Sequence, residues 1–230
     1  KNEFLAVSQF VEELESVNFA LTYKKVEKKI NSKDEVLVLL NALCLDSKYQ
    51  FAGLTPGNIT RFNWTNIYDG MESKDLFIDG MFASRLLGLD GYFVHNRISA
   101  GLMLILPGVV YPFHTHRVKE FYYCLSGELL IQHDIDGEKF SLGQGELSFT
   151  PEGKLHSLEV IGNKPVLLAY SWLGNLNTPI RIWEKIDSRL WKGCVWKRLP
   201  GEKWKTTHSQ QLTNQDFLNL FSRYYIDANR

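Results

Sequence analysis

Four side chains of the kinds that bind metal ions occur in two short segments near the middle of the chain. His114, His116 and Glu120 belong to the first segment, and His156 belongs to the second. Three imidazoles and one carboxylate form an N3O ligand set, which suits divalent Zn, Fe, Mn, Ni or Cu and suits calcium poorly. The residue types therefore predict a site for one divalent transition metal, with Zn, Fe and Mn as the expected ions.

The spacing of these residues predicts β-strands as their support. Side chains two positions apart on a strand point to the same face, so His114 and His116 are expected to point together. Glu120 lies an even number of residues further on and rejoins that face if residues 117–119 make only a shallow turn. His156 must arrive from another strand. The turn residues that such strands need are present as Gly108, Gly127, Gly145, Pro151 and Gly153.

The order of these glycines, histidines and the glutamate resembles the paired signature motifs of the cupin superfamily. The first motif runs from Gly108 through the ligands to Gly127, and the second runs from Gly145 through Pro151 to His156. The last position of the second motif is usually Asn and is Val160 here, but that Asn is not a metal ligand in the family. The resemblance implies a mainly β fold, a single cupin barrel of the double-stranded β-helix or jelly-roll type, with the metal inside its mouth.

The pattern of apolar residues agrees with a barrel. Short apolar runs separated by turn signals recur after about residue 75, which is typical of a barrel or a sandwich. We expect strands at residues 101–106, 120–125, 128–133, 147–150, 157–161 and 166–173.

Both ends of the chain are predicted to add helices to one structural domain. Apolar residues recur at helical spacing from Phe4 to Leu21, and a second apolar stretch runs from Val36 to Leu45. Near the other end, Thr213 and Asp216 form a capping box ahead of an apolar stripe. The predicted parts are a helical and turn-rich N-terminal extension (1–74), the cupin barrel with the metal site (75–185), and a C-terminal extension that ends in a helix (186–230).

The composition argues against several classes of partner. The 230 residues include 26 basic and 26 acidic side chains, so no excess charge favours nucleic acid or an anionic membrane. No apolar run approaches the roughly 20 residues that span a bilayer. No signal peptide is visible, although a chain that starts at Lys1 need not begin at the natural N-terminus. Three scattered cysteines favour a reducing compartment, so the expected location is cytoplasmic.

Two tyrosines lie where they could add a base to the metal site. Tyr122 follows Glu120 by two residues on the same strand face, and Tyr111 precedes His114 by three. A phenol has an ordinary pKa of about 10, and a nearby divalent cation favours its anion. Tyr122 is therefore a candidate general base. The alternative is that Tyr122 only lines the barrel, with its hydroxyl hydrogen-bonded.

The segment from Tyr111 to Gly174 resembles one family within the cupins, the cupin-type dimethylsulfoniopropionate (DMSP) lyases. The shared pattern is Tyr-Pro-x-His-x-His-x3-Glu-x-Tyr, then the His of the second motif, then a strand that ends Ala-Tyr-Ser-Trp-Leu-Gly at residues 169–174. The chain departs from that family at Thr115 and at residues 117–119. These departures affect the expected pocket shape and substrate preference more than the expected metal binding.

This resemblance implies a role for each matching residue. The implied metal ligands are His114, His116, Glu120 and His156. The implied catalytic residues are Tyr122, as the favoured base close to the metal, and Tyr111, as a second active-site tyrosine. The substrate-binding candidates are Trp172, which the resemblance implies, and Tyr123 and Tyr170, whose aromatic faces could attract a sulfonium cation.

The implied reaction is a β-elimination without a redox step. The substrate carboxylate binds the metal, a tyrosinate removes the proton from the adjacent carbon, and dimethyl sulfide leaves from the next carbon, with acrylate as the other product. The expected enzyme is a carbon–sulfur lyase that acts on a small sulfonium carboxylate. Because fold does not decide chemistry, a cupin dioxygenase that uses ferrous iron, and a cupin sugar isomerase or ligand-binding protein, stay open as alternatives. A homodimer is a possible assembly.

Overall fold

The computed structural model of the protein describes residues 2–22, 38–40, 56–71, 76–198 and 202–227. Strands are the main secondary structure of this part of the chain, and helices lie at both ends. The strands are β1 (Thr65–Asn66), β2 (Met81–Gly88), β3 (Phe93–Val94), β4 (Ile98–Ile105), β5 (Val110–Thr115), β6 (Val118–Ser126), β7 (Glu128–His133), β8 (Lys139–Gly143), β9 (Leu147–Thr150), β10 (His156–Val160), β11 (Val166–Gly174), β12 (Ile180–Lys185), β13 (Leu190–Lys197) and β14 (Lys205–Thr213). The helices are α1 (Asn2–Glu15), α2 (Phe19–Thr22), α3 (Pro56–Ile59), α4 (Leu76–Gly80) and α5 (Asn214–Asp227).

The strands form two sheets whose neighbours are antiparallel, apart from the short parallel pair of β2 and β3. The first sheet has the order β1-β2-β4-β11-β6-β9, with β3 beside β2, and the second has the order β14-β13-β12-β5-β10-β7-β8. From β4 to β12 the chain changes sheet at every connection except the one between β7 and β8. This alternation confirms the predicted jelly-roll architecture.

The main hydrophobic core contains side chains from both sheets. Met103 and Leu168 of the first sheet pack in one cluster with Leu129 and Ile182 of the second. Strand β4 is buried along almost its whole length, because a separate cluster covers its other face. Members of that second cluster are Leu40, Ile59, Trp64, Phe82, Leu102 and Leu104.

Helices are present at both ends of the chain, as predicted, and apolar side chains of each pack against the sheets. Phe10 and Leu14 of α1 pack against a small cluster that includes Ile98 at the start of β4. Helix α5 begins after Thr213, whose hydroxyl accepts a hydrogen bond from the main-chain N–H of Asp216 at 3.1 Å, as a helix cap does. Phe217 of α5 is fully buried, and its ring stacks on that of Trp191 with the centroids 4.1 Å apart.

All six predicted strands are present, as β4, β6, β7, β9, β10 and β11. Strands that the apolar pattern did not single out include β2, β5 and β12, and also β13 and β14, which extend the second sheet beyond residue 185. The predicted apolar stretch from Val36 to Leu45 lies outside the described residues except for residues 38–40, which are helical. Among the described residues, no helix has both the length and the apolar character needed to cross a membrane.

Candidate metal centre

Three histidines meet on the inner face of the second sheet. His114 of β5 and His156 of β10 occupy directly opposite positions on antiparallel strands, and their ring centroids are 3.9 Å apart. His116, which follows the end of β5, places its ring 5.1 Å from that of His156. All three side chains are buried. Two strands of the second sheet, with the residue directly after β5, therefore supply all three imidazoles of the predicted ligand set.

Main-chain oxygens fix which ring nitrogen of each histidine is available to a metal. The Nδ1 atom lies within hydrogen-bond distance of the carbonyl oxygen of a residue two positions away, at 2.9 Å for His114, 3.2 Å for His116 and 2.9 Å for His156. A carbonyl oxygen can only accept, so each Nδ1 must carry the proton and donate it. In the neutral form of each ring, Nε2 is then left with a lone pair, which is the arrangement of a metal-binding imidazole.

Glu120 faces these histidines from the first sheet. It lies on β6, whereas His114 lies on β5 of the second sheet, so residues between the two strands cross from one sheet to the other. In place of the shallow turn considered for residues 117–119, the chain changes sheet at residues 116–117, and residues 118–119 already belong to β6. The ligands meet because they approach the barrel interior from two sides, and strand parity along one continuous segment does not explain their meeting.

The donor atoms of these four residues fit one metal ion. Oε2 of Glu120 lies 3.0 Å from Nε2 of His156 and 3.3 Å from Nε2 of His116. One ligand atom from each of His114, His116, Glu120 and His156 can be chosen so that all four lie within 4.8 Å of one another. Metal–ligand bonds of about 2.0–2.2 Å place two ligands of one ion roughly 3–3.5 Å apart. The N3O cluster therefore has a spacing compatible with a divalent transition metal.

The protonation states in the cluster also suit metal binding. Burial, together with the neighbouring His156 and His116, holds the pKa of His114 well below its ordinary value, so its imidazole is neutral. Burial alone would raise the pKa of Glu120, but His116 and His156 outweigh that effect and hold this pKa well below its usual range. A neutral imidazole and an ionised carboxylate are the forms that bind metals.

The second oxygen of Glu120 is held by two aromatic side chains. The Tyr122 hydroxyl donates to Oε1 at 2.8 Å, and Nε1 of Trp172, directly opposite Glu120 on β11, donates to the same oxygen. The Trp172 ring also lies against the ring of His116, with the centroids 4.7 Å apart. Tyr122 and Trp172 thus orient the carboxylate so that Oε2 faces the imidazoles. Burial and the charge of Glu120 raise the pKa of Tyr122 well above its ordinary value.

Tyr111 lies beside the cluster in contact with a tyrosine that the sequence did not indicate. The ring of Tyr111 lies against that of His114, with the centroids 3.8 Å apart. Its hydroxyl is hydrogen-bonded to that of Tyr68, which is buried in the segment after β1. Tyr68 lies 43 residues before Tyr111 in a turn-rich region and belongs to neither metal motif. No local pattern in the sequence could have assigned it to this site.

The two remaining substrate-binding candidates lie on different faces of the first sheet. Tyr170 of β11 is directly opposite Tyr122 and is buried in the main core on the metal side. Tyr123 packs instead with the cluster that covers the outer face, because adjacent side chains on a strand point in opposite directions. The structure therefore brings Tyr170 to the site and places Tyr123 away from it.

Two sheets that form one jelly roll, with three imidazoles and a carboxylate between them, define the protein as a cupin. Within that class, the chain belongs to the dimethylsulfoniopropionate lyase family, whose model matches residues 45–168. This match includes the four ligands, Tyr111, Tyr122 and the first three residues of β11.

Known proteins of similar sequence match this chain at modest identity. The chain is 29% identical over 115 residues to dimethylsulfoniopropionate lyase DddQ of Ruegeria pomeroyi, and the match covers 50% of this chain and 56% of that protein. The chain thus spans little more than half the length of this relative. It is also 33% identical over 93 residues to a gentisate 1,2-dioxygenase of a Ralstonia species, covering 40% of this chain and 25% of that protein.

The fold is similar to those of two solved structures. The crystal structure of DMSP lyase DddQ from Ruegeria pomeroyi DSS-3 matches with a TM-score of 0.57 and 21% identity, over 78% of this chain and 93% of that chain. A structure from a study of the DMSP lyases RdDddP and RnDddQII matches with a TM-score of 0.51 and 18% identity, over 78% of this chain and 96% of that chain. At these identities the likeness concerns the fold alone.

Proposed function

We propose that the protein is a metal-dependent carbon–sulfur lyase that cleaves DMSP to dimethyl sulfide and acrylate. The observation that carries this proposal is the 2.8 Å hydrogen bond between the Tyr122 hydroxyl and Glu120, because it keeps a phenol beside a ligand of the metal cluster. Membership of the DMSP lyase family supports the same conclusion.

The proposed cofactor is one divalent ion, Zn, Fe or Mn, held by His114, His116, Glu120 and His156. When bound, such an ion supplies positive charge that favours a tyrosinate nearby and stabilises the negative charge that develops on the substrate carboxylate. Tyr122 is a hydrogen-bond donor to Glu120 in the structure, and burial raises its pKa, so its action as a base depends on that positive charge.

Tyr122 is the proposed base, and Tyr111 is the proposed second catalytic tyrosine. Tyr122 accepts the proton from the carbon next to the substrate carboxylate, and the electrons of that C–H bond form the new C=C bond. The C–S bond breaks, and dimethyl sulfide leaves with its electron pair. Electrons are neither gained nor lost overall, so no oxidant is needed.

Trp172 and Tyr170 are the proposed substrate-binding aromatics. Both lie on β11 with one residue between them, and the rings face the same side as Glu120 and Tyr122. Aromatic faces attract a cation without neutralising a nearby base, which is what a sulfonium substrate requires. Tyr123 packs on the outer face of the sheet, so we do not propose it as a substrate-binding residue.

Headspace gas chromatography tests this function directly. Metal-loaded protein incubated with DMSP should release dimethyl sulfide and an equal amount of acrylate, and a chelator should stop the release. Replacement of the ligand His156→Asn should give protein that is folded but poor in metal and inactive. Absence of dimethyl sulfide from protein with a full metal content would contradict the proposal.

A cupin dioxygenase is the second candidate, because the chain shares 33% identity over 93 residues with a gentisate 1,2-dioxygenase. The same N3O ligand set also suits ferrous iron. Oxygen uptake by the iron-loaded protein with a dihydroxylated aromatic acid would favour this candidate, whereas turnover of DMSP without oxygen uptake would exclude it as the main activity.

The cytoplasmic location and the homodimer remain predictions.

A further inference from the structure

Two buried tyrosines, one of them beside the metal ligands, share a hydrogen bond between their hydroxyls. Tyr68 is 2% exposed and Tyr111 is 4% exposed. Within the described part of the chain, no other hydrogen bond of either hydroxyl is present. A buried polar group without a partner costs free energy, so this hydrogen bond decides where each hydroxyl rests. The position of the Tyr111 hydroxyl therefore depends on Tyr68.

The ring of Tyr111 connects this hydrogen bond to a metal ligand. Its centroid lies 3.8 Å from that of His114, 5.5 Å from that of Phe77 and 5.7 Å from that of Tyr68. Because a phenol is a rigid group, a shift of its hydroxyl also moves its ring. Tyr68 therefore acts on the hydroxyl that the proposed reaction uses and on the ring that packs against His114.

The main chain of Tyr68 is attached to neighbouring elements by hydrogen bonds. Oδ1 of Asn66 accepts from the main-chain N–H of Tyr68 at 2.7 Å, and Nδ2 of Asn66 donates to the carbonyl oxygen of Ile78 in α4 at 2.6 Å. The main-chain N–H of Ile67 donates to the carbonyl oxygen of Met81 in β2 at 2.9 Å. These bonds hold a turn segment at a fixed place relative to α4 and β2.

The C-terminal extension holds the same segment from another direction. Nε1 of Trp204 and Nη1 of Arg198 both donate to the carbonyl oxygen of Ile67, at 2.7 Å and 3.1 Å. The Trp204 ring lies 5.4 Å from the ring of Tyr68, and the Phe77 ring meets Tyr68 edge-on at 5.2 Å. A side chain that positions another must itself be held by packing and hydrogen bonds, and Tyr68 meets that requirement.

We propose that Tyr68 is a positioning residue, which fixes the hydroxyl of Tyr111 and the packing of the Tyr111 ring on His114. The consequence for turnover rests on the proposed function, in which Tyr111 is the second catalytic tyrosine. Among the described residues the Tyr68 hydroxyl bonds only to Tyr111, so it acts on the site through that residue. Small displacements of a reacting group lower the rate, because the reaction requires close alignment.

A double-mutant cycle tests whether Tyr68 acts through Tyr111. Tyr68→Phe keeps the ring that packs against Phe77 and Trp204 and removes only the hydroxyl. We expect it to lower kcat for DMSP about tenfold, the upper range for loss of one neutral hydrogen bond, with KM and metal content nearly unchanged. In the Tyr111→Phe background it should lower kcat by less than about twofold, because no hydroxyl is left to position. Equal effects in both backgrounds would overturn the proposal.

Tyr92→Phe is the matched control for loss of a tyrosine hydroxyl. The Tyr92 hydroxyl accepts a hydrogen bond from the main-chain N–H of Asn63 at 2.9 Å, and neither residue belongs to the metal centre. This variant should therefore keep the wild-type kcat. A loss of kcat as large as that in Tyr68→Phe would show that activity follows general stability, and it would overturn the positioning role.

Cobalt-substituted protein provides a readout that does not require turnover. The visible absorption of Co²⁺ depends on the geometry of its ligands, and His114 is one of the expected ligands. Tyr68→Phe should change this absorption when Tyr111 is present and leave it unchanged in the Tyr111→Phe background. Tyr92→Phe should leave it unchanged in both.

The two readouts distinguish this proposal from the proposed function. Where dimethyl sulfide is released, the kcat values decide, and where none is released, the absorption decides. Wild-type protein that releases none but shows the Tyr111-dependent change in absorption would retain the positioning role and remove the lyase activity. Release of dimethyl sulfide with a wild-type kcat in Tyr68→Phe would retain the lyase and remove the positioning role. A tenfold loss of kcat that requires Tyr111 would support both.

Discussion

The hydroxyl of Tyr122 lies 2.8 Å from Oε1 of Glu120 and donates a hydrogen bond to it. Oε2 of the same carboxylate faces His116 and His156, so Glu120 links the proposed base to the ligand cluster. The two oxygens have separate partners. Substitutions can therefore remove the phenol, or the support of the carboxylate, without removing a ligand.

Replacing Tyr122 by Phe is expected to lower kcat for DMSP cleavage by at least about 100-fold, because a positioned general base contributes roughly 10²–10⁴-fold. The assay uses saturating metal, and the metal content is measured in parallel, since the lost hydrogen bond also helps to hold Glu120. Tyr123→Phe is the matched control: it changes the adjacent tyrosine on the opposite face and should leave kcat nearly unchanged. Full activity in Tyr122→Phe would rule out the assigned base and direct attention to Tyr111→Phe.

Replacing Trp172 by Phe is expected to weaken metal binding by about 10–100-fold, the usual effect of losing a hydrogen bond to a metal ligand. The substitution removes the Nε1 donor to Glu120 and keeps a ring that can pack against His116. Competition with a chromophoric chelator measures the affinity. Trp183→Phe is the control, because Nε1 of that buried tryptophan has no hydrogen-bond partner among the described residues. Equal metal affinities of the two variants would show that Trp172 does not support Glu120.

The ligands were predictable from the sequence because metal chemistry restricts both residue type and spacing. His114, His116, Glu120 and His156 carry that restriction in a local pattern, and the structure brings their donor atoms within 4.8 Å. The path between them was not predictable from parity, because the chain changes sheet at residues 116–117. A side-chain period of two describes a single strand and contains no information about where the chain leaves it.

Residues outside the motifs could not be assigned for a related reason. Tyr68 lies 43 residues before Tyr111 in the sequence, and only the tertiary fold brings their hydroxyls together. Strands β13 and β14 escaped prediction because their side chains are mostly exposed or half-buried, so no clear apolar alternation marks them. Trp204, just before β14, packs its ring against that of Tyr68 with the centroids 5.4 Å apart.

Replacing Gly101 by Ala is expected to destabilise the barrel by about 1–3 kcal/mol, the usual cost of forcing an extra group into a packed core. A Cβ atom at this position would lie 2.1 Å from the carbonyl oxygen of Ser84, which is main chain and cannot rotate away. Urea unfolding followed by tryptophan fluorescence gives the free energy. Gly143→Ala on β8 is the control, since its Cβ would meet only a flexible Glu146 oxygen at 3.6 Å. Similar stabilities of the two variants would show that β2 and β4 can separate to accept a methyl group.

The stability of the metal-free protein is expected to fall as the pH decreases from about 6.5 to about 4, partly because of His133. Burial lowers the pKa of His133 to about 4, and the ring nitrogen Nε2 lies 3.1 Å from the Thr150 hydroxyl. An unfolded histidine has a pKa of about 6.5. Between these values the unfolded state binds the proton and the folded state does not, so protonation favours unfolding.

One proton taken up on unfolding changes the free energy of unfolding by roughly 1.4 kcal/mol per pH unit. Because His133 is partly exposed, its contribution to this pH dependence is smaller. His133→Asn should therefore flatten the decline of stability below pH 6.5, as measured by urea unfolding at several pH values in the presence of a chelator. The decline should not vanish, because the buried His114, whose pKa is also lowered, contributes with the same sign. His208→Asn, at an exposed position on β14, is the control and should leave the slope unchanged. An equally steep decline in His133→Asn would mean that His133 is protonated alike in the folded and unfolded states.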